Sequence, residues 1–538
     1  MRKITWLGIL GMAGVVGAGC AESDDTVATT GQAVQSPVMT VSAEIQHDIS
    51  GPLRDVPVVH AAAAKEPREH PIGRFKIPGP DLEDTVVQSA HAPLSPLAAT
   101  TTGLNVPGVG NGDFGFAPNA APPDTNGVVG TTQYVQWVNE SFAVFDKTTG
   151  AIAAGFPKVG NSIWANFSDA NGSPSRCSTA NDGDPIVQFD KAAQRWILTQ
   201  FVVSSQPFLQ CVAVSTTADA TGTYARYSFS YPNFNDYPKM SVWPDGYYIT
   251  FNIFTNTFQG ALACAYDRTA MLAGAAATQV CFQQPNTIAS LLPSDLDGST
   301  APPAGSPNFL VDIASTSSIN VFKFHVDFAT PANSTFTKAA TLTVAGFAEA
   351  CSGGTCIPQA GTKQQLDSLG DRMMYRNAYR NFGDHEALVF SHSVSGGRRK
   401  PTGIRWYELR SPGNGNFSVF QQATFQPDAL FRWMPSVAMD KVGDIAIGYS
   451  LSSSTTNPAI GYSTRTAADA PGVLANEVIF KQGAGSQLSN LSRWGDYSAM
   501  TVDPTDDCTF FFTSEYQKTN GTFNWSTQFT SFKIAGCQ

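Results

Sequence analysis

Aspartates recur at one position in front of short apolar runs, a pattern in which carboxylates can hold a cation, pair with arginine or act as acid and base. Gly183-Asp184 and Gly495-Asp496 each precede an apolar run, a second aspartate and an aromatic-rich run. Asp236 and Asp384 stand in the same position, and Asp124 also fits it. The pattern predicts that these five first aspartates precede the innermost strand of a repeated unit. The second aspartates, such as Asp190, are expected to cap turns through their own backbone.

If the units close into a ring, the first aspartates meet at one channel mouth, where like charges raise one another's pKa. Three arrangements relieve that repulsion. The carboxylates bond backbone N–H groups of their own loops, or they pair with nearby arginines. Alternatively they hold a hard cation such as Ca²⁺. The candidate arginines are Arg376, Arg380, Arg432 and Arg493. The candidate metal ligands are Asp124, Asn126, Asp182 and Asp184. No other cofactor is indicated.

Aromatic side chains flank the same positions and could stack on sugar rings. The candidates are Trp433, Trp494 and Tyr497; the alternative is that the tryptophans fill wedges between sheets. Asp384 could orient His385 as a general base, although a loop hydrogen bond accounts for the pair equally well. The sequence has no G-x-S-x-G, H-E-x-x-H or G-x-x-x-x-G-K-[ST] motif, so serine hydrolases, zincins and P-loop enzymes lack support.

The elements that must position these residues are short strands repeating at intervals of roughly 60 residues, a period typical of β-propellers. Seven units can be aligned, starting at Asp124, Gly183, Asp236, Ser306, Met373, Met434 and Gly495. The sequence therefore favours an all-β fold, a β-propeller of seven blades. A weakly marked fourth unit leaves six or eight open. Short helices are expected only near residues 267–275 and 364–376.

Composition excludes some functions. Only 14% of the residues are charged, and the net charge is −10 with no large basic block. Nucleic-acid binding needs clustered Lys and Arg to displace counterions, so it is not expected.

The N-terminus has the form of an export signal. Arg2 and Lys3 precede an apolar stretch that is too short to span a bilayer permanently. Gly17-Ala18-Gly19-Cys20 resembles a lipobox, which predicts a lipoprotein signal over 1–20 and lipidation of Cys20. Residues 21–110 are expected to form a linker and a surface-lying arm, and residues 111–538 the propeller. The expected location is the bacterial envelope, lipid-anchored through Cys20, or the secreted fraction.

The cysteine count fits an exported chain. Setting Cys20 aside leaves eight, an even number in a compartment where disulfides persist. Many pairings are possible. Nearest-neighbour pairing is preferred because each bond would staple one local loop. The predicted pairs are Cys177–Cys211, Cys264–Cys281, Cys351–Cys356 and Cys508–Cys537. The last pair is expected to be the main lock on the ring, with the Gly-rich stretch 108–118 a secondary covering arm.

Several phrases resemble a family of exported bacterial β-propeller-like proteins. The matching phrases include "NDGDPIVQFD", "RNFGDHEALV" and "RWGDYSAMTVDPTDDCTFFFTSEY", and the similarity spans about residues 110–538. The resemblance implies a secreted or surface propeller-like fold and attaches no reaction to it. Propellers that cleave sialic acid are less similar, because their S-x-D-x-G-x-x-W box is absent here.

These observations predict a surface-tethered protein that binds a ligand, a glycan or another envelope protein, at its channel face. The first alternative is a carbohydrate-active enzyme, a glycoside hydrolase or lyase that uses two of the first aspartates. Hydrolysis would need two carboxyl groups about 5–10 Å apart in an open cleft. The second alternative is a structural role in the envelope or in a biofilm.

Overall fold

The computed structural model describes residues 37–58, 67–92, 99–169, 171–396 and 401–538. The predicted all-β class is confirmed: within these residues, seven sets of antiparallel strands follow one another along the chain, and a parallel ladder joins the fourth set to the fifth. We call these sets sheets 1 to 7. The expected signal peptide and Cys20 lie outside the described residues.

Sheets 1 to 3 are built from consecutive hairpins. The strands of sheet 1 are Asn126–Val129, Gln133–Val138, Ser141–Asp146 and Lys158–Val159. Those of sheet 2 are Ile186–Asp190, Arg195–Val202, Phe208–Ser215 and Tyr224–Tyr231. Those of sheet 3 are Phe234–Trp243, Gly246–Phe254, Phe258–Tyr266 and Thr278–Gln283.

Sheets 4 to 7 repeat the pattern. The strands of sheet 4 are Leu292–Leu296, Asn308–Ser315, Ser318–His325 and Thr335–Thr343. Those of sheet 5 are Met374–Asn381, Glu386–Ser395, Thr402–Ser411 and Ser418–Phe425. Those of sheet 6 are Phe431–Met439, Ile445–Ser453, Thr456–Arg465 and Asn476–Lys481. Those of sheet 7 are Ala499–Val502, Thr509–Gln517 and Trp525–Ile534.

The first strands of the seven sheets contact one another in sequence order, and the first strand of sheet 7 contacts that of sheet 1. Between sheets 4 and 5 this contact is a short parallel ladder in which Ser294 pairs with Asn377. Each first strand thus contacts the first strands of two other sheets.

Residues 37–107 contribute four further strands to sheet edges. Val38–Ala43 pairs with the last strand of sheet 3, and Gln46–Ile49 with that of sheet 2. Val87–Gln88 adds a short parallel strand to sheet 5. Thr100–Pro107 pairs antiparallel with Trp525–Ile534 and completes sheet 7. Sheet 7 thus contains strands from both ends of the described chain.

The core lies between neighbouring sheets, because both faces of most strands are buried. Aromatic rings fill these spaces: Tyr134 of sheet 1 stacks on Phe529 of sheet 7 at 4.5 Å between ring centroids. Stacked β-sheets need such bulky side chains to reach interior packing density.

Helices are few and short. The α-helices are Arg176–Thr179 and Arg268–Ala273, and the 3-10 turns are Leu53–Asp55, Asp113–Gly115, Gly160–Trp164, Pro331–Asn333 and Ala350–Gly353. Asp267 caps the second helix by accepting from the Ala270 N–H, as expected for 267–275. The helix expected near 364–376 is wrong, since Leu366–Asp367 pairs with Thr355–Ile357 there. In the described part of the chain, no helix has the length and apolarity needed to cross a membrane.

Short pieces of strand complete the structure. Arg68–Glu69 pairs in parallel with Ala120–Ala121, and Ala348–Glu349 adds to sheet 5. The four predicted disulfides are all present: Cys177–Cys211, Cys264–Cys281, Cys351–Cys356 and Cys508–Cys537. Disulfides at this density are typical of exported proteins.

Candidate functional site

A residue in the left-handed backbone conformation precedes or interrupts each first strand. Asp124, Asp184 and Asp496 have φ values of 47°, 48° and 72°, a conformation that aspartate tolerates better than most residues. Gly183 and Gly495, directly before two of them, also have positive φ, which favours glycine. The corresponding residues of the other sheets are Tyr237, Ser290, Leu369 and Met434. The repeated Gly-Asp of the sequence is therefore explained first by backbone geometry.

These turns bring Asp124, Asp184, Asp236 and Asp496 together; we call them the strand-start cluster. All four are buried. The Asp124 Oδ2 atom accepts from Asn139 Nδ2 at 3.0 Å, while its Oδ1 has no hydrogen-bond partner among the described residues. The Asp184 Oδ2 atom accepts from the Tyr237 N–H at 3.2 Å.

Burial and mutual repulsion hold protons on this cluster. Burial, followed by repulsion from Asp496 and Asp184, raises the pKa of Asp124 well above its usual value. Burial and the neighbouring Asp236 and Asp496 raise the pKa of Asp184 to about 7. Burial and Asp496 raise the pKa of Asp236 to about 6. Near neutral pH these carboxyl groups can give and take protons.

A lysine absent from the sequence-based candidates lies inside the cluster. Lys239 Nζ sits over the rings of Tyr237 and Tyr497, 3.3 and 3.8 Å from their centroids, and donates to the Pro238 carbonyl at 2.8 Å. Burial lowers the Lys239 pKa to about 7, although Asp184 and Asp496 act in the opposite direction. Tyr497, expected to face a ligand, is instead a buried wall of this lysine site.

Of the four candidate arginines, Arg493 reaches the cluster. Its guanidinium pairs with Asp496 and with Asp367, and its Nε donates to the His70 carbonyl at 2.9 Å. The other three are bound elsewhere: Arg376 to Asp295 and Asp297, Arg380 to Asp507, and Arg432 to Asp428 and Glu477.

Asp384 and His385 do not join the cluster, so their expected placement before a first strand is wrong. The first strand of sheet 5 is Met374–Asn381, and Asp384 lies in the turn after it. The Asp384 side chain is 85% exposed and its Oδ1 contacts His385 Nδ1 at 2.7 Å. The aspartate that does precede this strand is Asp371, two residues after the left-handed Leu369; it binds Arg372. The Gly-Asp pair at residues 370–371 is the sequence feature that could have located the start of this strand.

Trp433 and Trp494 do not face a ligand either. Both are fully buried, and their rings pack together at 5.7 Å between centroids. The interpretation that they fill the space between sheets fits these contacts, because a ring with no exposed face cannot stack on a sugar.

Two of the four predicted calcium ligands, Asn126 and Asp182, accept backbone hydrogen bonds instead. Asn126 Oδ1 accepts from the Val187 N–H, and Asp182 Oδ2 accepts from the N–H groups of Val203 and Ser204. A different set of donor atoms converges in the described residues, those of His91, Asp428 and Glu477. Both of its carboxylates already bind Arg432, whose positive charge opposes a cation there.

Residues 70–77, which we call the mouth segment, cross over the cluster. The carbonyls of His70 and Gly73 accept from Arg493 and Arg372, and Arg74 pairs with Asp367. The strand-start cluster is consequently closed off. Glycosidic hydrolysis would require an open cleft there.

An open cavity of about 700 Å³ lies at the opposite ends of the first strands; we call it the strand-end cavity. Its lining includes Trp243, Arg380, Asn381, Phe382 and Lys441. Pockets of this size commonly hold small ligands.

Both arginines that line this cavity are paired with carboxylates. Arg380 makes two bonds to Asp507 at 2.7 and 2.8 Å, and Arg268 makes two to Asp190 at 2.6 and 3.1 Å. Lys441 Nζ donates to a backbone carbonyl, that of Asp506, at 3.1 Å. The cavity therefore offers fixed donors and acceptors with little net charge.

Comparisons with known proteins give structural similarity alone. No family model matches the sequence, and no curated protein matches it. A Trypanosoma rangeli sialidase bound to the inhibitor DANA shares 11% identity over 68% of this chain and 57% of its own length, with a TM-score of 0.30. A GH43_1 enzyme from Xanthomonas citri, complexed with xylose, shares 13% identity over 73% of this chain and 97% of its own, with a TM-score of 0.31.

A GH43 endo-arabinanase from Bacillus licheniformis shares 8% identity over 55% of this chain and 96% of its own, with a TM-score of 0.25. This chain thus matches little more than half the length of the sialidase. At these values the matches assign no reaction to it.

Proposed function

We propose that this protein is an exported, seven-bladed β-propeller that binds carbohydrate in its strand-end cavity. The cyclic order of contacts among the seven first strands supports the closed propeller. Sheet 7 supports it too, because it contains both Thr100–Pro107 and the final strand. The four disulfides support export. A lipid anchor on Cys20 belongs to the same proposal.

The proposal of a carbohydrate ligand rests on the pairing of charges in the cavity. A site lined by free cations would attract anions, whereas here Arg380 and Arg268 are each held by a carboxylate, and Lys441 donates to the Asp506 carbonyl. Fixed polar groups beside the aromatic Phe382 suit a neutral polyhydroxyl ligand, whose hydroxyls bond the polar groups while its C–H face lies on a ring.

The test is binding of an oligosaccharide panel to the full chain, compared with Asn381→Ala and Lys441→Ala. Both residues line the cavity, and losing one hydrogen bond should weaken binding about tenfold. The matched control is Lys338→Ala, an exposed lysine on the last strand of sheet 4. Equal affinities in all four proteins would contradict the site. A lack of any oligosaccharide binding would leave an envelope-protein ligand or a structural role as the better proposals.

Glycoside hydrolysis by the strand-start cluster is the second candidate. It is favoured by the raised pKa values of Asp184, about 7, and Asp236, about 6, which suit a general acid near neutral pH. The mouth segment must first move away. Release of reducing sugar that disappears in Asp184→Asn and increases in Arg74→Ala would support this candidate. The same rate in wild type and Asp184→Asn would rule it out.

A further inference from the structure

The mouth segment is held largely through its backbone. The carbonyl of His70 accepts from Arg493 Nε at 2.9 Å, and that of Gly73 from Arg372 Nη2 at 2.6 Å. The Phe75 N–H donates to Asp371 Oδ2 at 2.9 Å. Any extended peptide could supply these three groups, provided that the residue in the place of Phe75 is not proline.

Two side chains of the segment lie in partly open pockets: the Arg74 side chain is 36% exposed, and Phe75 is half-buried. Arg74 Nη1 donates to Asp367 Oδ1 at 2.8 Å and to the Gly353 carbonyl at 2.7 Å. Its Nη2 donates to Asp367 Oδ2, which makes the pair bidentate. The carboxylate of Asp367 is fully buried. A buried carboxylate with this fork geometry prefers arginine to lysine.

The Phe75 ring fills the second pocket. The centroid of the Phe75 ring lies 4.5 Å from that of Phe258 and 5.2 Å from the guanidinium of Arg372. The space next to Gly73 is closed instead, because a Cβ there would overlap the ring of Phe254. The site therefore selects a peptide with glycine, arginine and an aromatic residue at three consecutive positions.

Main-chain bonds combined with side-chain pockets are how proteins recognise extended peptides. The His70 N–H donates to the carbonyl of Ala121, but residues 71–77 pair with no strand. By contrast, Val38–Ala43, Gln46–Ile49 and Thr100–Pro107 join sheet edges. The mouth segment is instead held by Arg, Asp and aromatic side chains of the rest of the protein, in the way that a bound peptide is held in its binding site.

We propose that this mouth is a binding site for an extended peptide containing Gly-Arg-aromatic, and that the chain fills it with its own residues 70–77. A peptide of that sequence from another protein competes with the internal segment. The internal segment is favoured in the free protein by its high effective concentration. This site is on the opposite side from the strand-end cavity and does not depend on carbohydrate binding.

The experiment uses a fluorescein-labelled peptide, HPIGRFKI, with the sequence of residues 70–77, and measures its anisotropy with the full chain. Arg74→Ala in the protein vacates the Asp367 pocket and should bind the peptide at least about tenfold more tightly than wild type does. A peptide with alanine in place of its arginine should lose at least about tenfold in affinity for that variant. Arg195→Ala, which leaves the mouth untouched, is the control and should behave as wild type.

A second measurement guards against damage to the fold. Excess peptide added to wild-type protein should accelerate hydrogen exchange at the Phe75 N–H, because the displaced segment loses its bond to Asp371. The proposal is overturned if folded Arg74→Ala protein shows no saturable binding, or if it binds the arginine and alanine peptides equally. Unchanged exchange at Phe75 under excess peptide would overturn it as well.

Discussion

The ammonium group of Lys239 lies 3.3 Å from the centroid of the Tyr237 ring and within reach of the charges of Asp184 and Asp496. A buried cation with aromatic and acidic neighbours offsets part of the repulsion among the carboxylates. Burial, together with repulsion from neighbouring carboxylates, still raises the pKa of Asp184 to about 7 and that of Asp236 to about 6.

The stability of the protein should depend on pH through Asp184. Because its pKa is raised to about 7 in the folded state, the folded protein holds more protons than the unfolded chain between about pH 4 and 7. Stability from this group is therefore largest in acid and is lost as pH rises towards 7. Relative to wild type, Asp184→Asn should gain on the order of 2 kcal/mol in free energy of unfolding over that range.

Urea denaturation at several pH values measures this difference. Asp384→Asn is the control: His385 lowers the pKa of that exposed carboxyl, so its removal should produce no such gain. A constant difference between Asp184→Asn and wild type from pH 4 to 7 would show that Asp184 titrates normally.

Of the four candidate arginines, Arg493 should be the one whose substitution destabilises the protein most. It is buried and compensates Asp496 and Asp367 together. Arg493→Gln would leave two buried carboxylates short of a partner, so we expect a loss of about 3–5 kcal/mol in free energy of unfolding. The control is Arg54→Gln, whose pair with Asp219 is about half exposed on both sides and should cost below about 1 kcal/mol. Similar losses in the two variants would contradict this assignment.

Gly73 should tolerate no side chain. A Cβ at this position overlaps the Phe254 ring, which is itself packed against Phe258 and Phe234. Gly73→Ala should destabilise the protein by about 1–3 kcal/mol and make the mouth segment easier to cleave in limited proteolysis. Gly51→Ala is a matched control, since nothing lies near its Cβ. Wild-type protease resistance in Gly73→Ala would show that the segment can shift without loss.

Local patterns made part of this architecture predictable. The Gly-Asp repeats marked real strand starts because only a few residue types tolerate the left-handed turn, and the disulfides followed from sequence proximity. The placement of Asp384 before a first strand is wrong because a hairpin turn can contain the same Gly-Asp pair as a strand start. The helix predicted near residues 364–376 is wrong because the short pairing of Leu366–Asp367 depends on distant partners, which local periodicity does not encode.

Long-range contacts account for what the sequence did not reveal. Lys239 follows Asp236 and Tyr237 in a strand and carries no motif, yet its burial beside Tyr497 creates the lysine site. The mouth segment has no apolar period because its bonds are made by backbone atoms and by Arg74. Its position depends on Asp367 and Arg493, roughly 300 and 400 residues away in the chain, a separation across which sequence patterns carry no signal.

The closure of sheet 7 supplies the last prediction. The sequence suggested that Cys508–Cys537 is the main lock and that the N-terminal stretch is secondary. In the structure Thr100–Pro107 forms the outer strand of sheet 7, and just beyond it the Asn111 N–H donates to the Trp525 carbonyl at 2.9 Å. Removing that strand exposes a full sheet edge, whereas the disulfide closes a loop with a sequence separation of 29, worth about 3 kcal/mol.

Three proteins separate the two contributions: Cys508→Ser with Cys537→Ser, a chain beginning at residue 99, and a chain beginning at residue 108. The chain from 99 keeps the closing strand and loses the mouth segment, so it should melt below wild type and above the chain from 108. The chain from 108 should melt below the double cysteine variant, because it loses the backbone ladder along Trp525–Ile534 as well as the other N-terminal strands. A double cysteine variant that melts lowest of the three would restore the disulfide as the main lock on sheet 7.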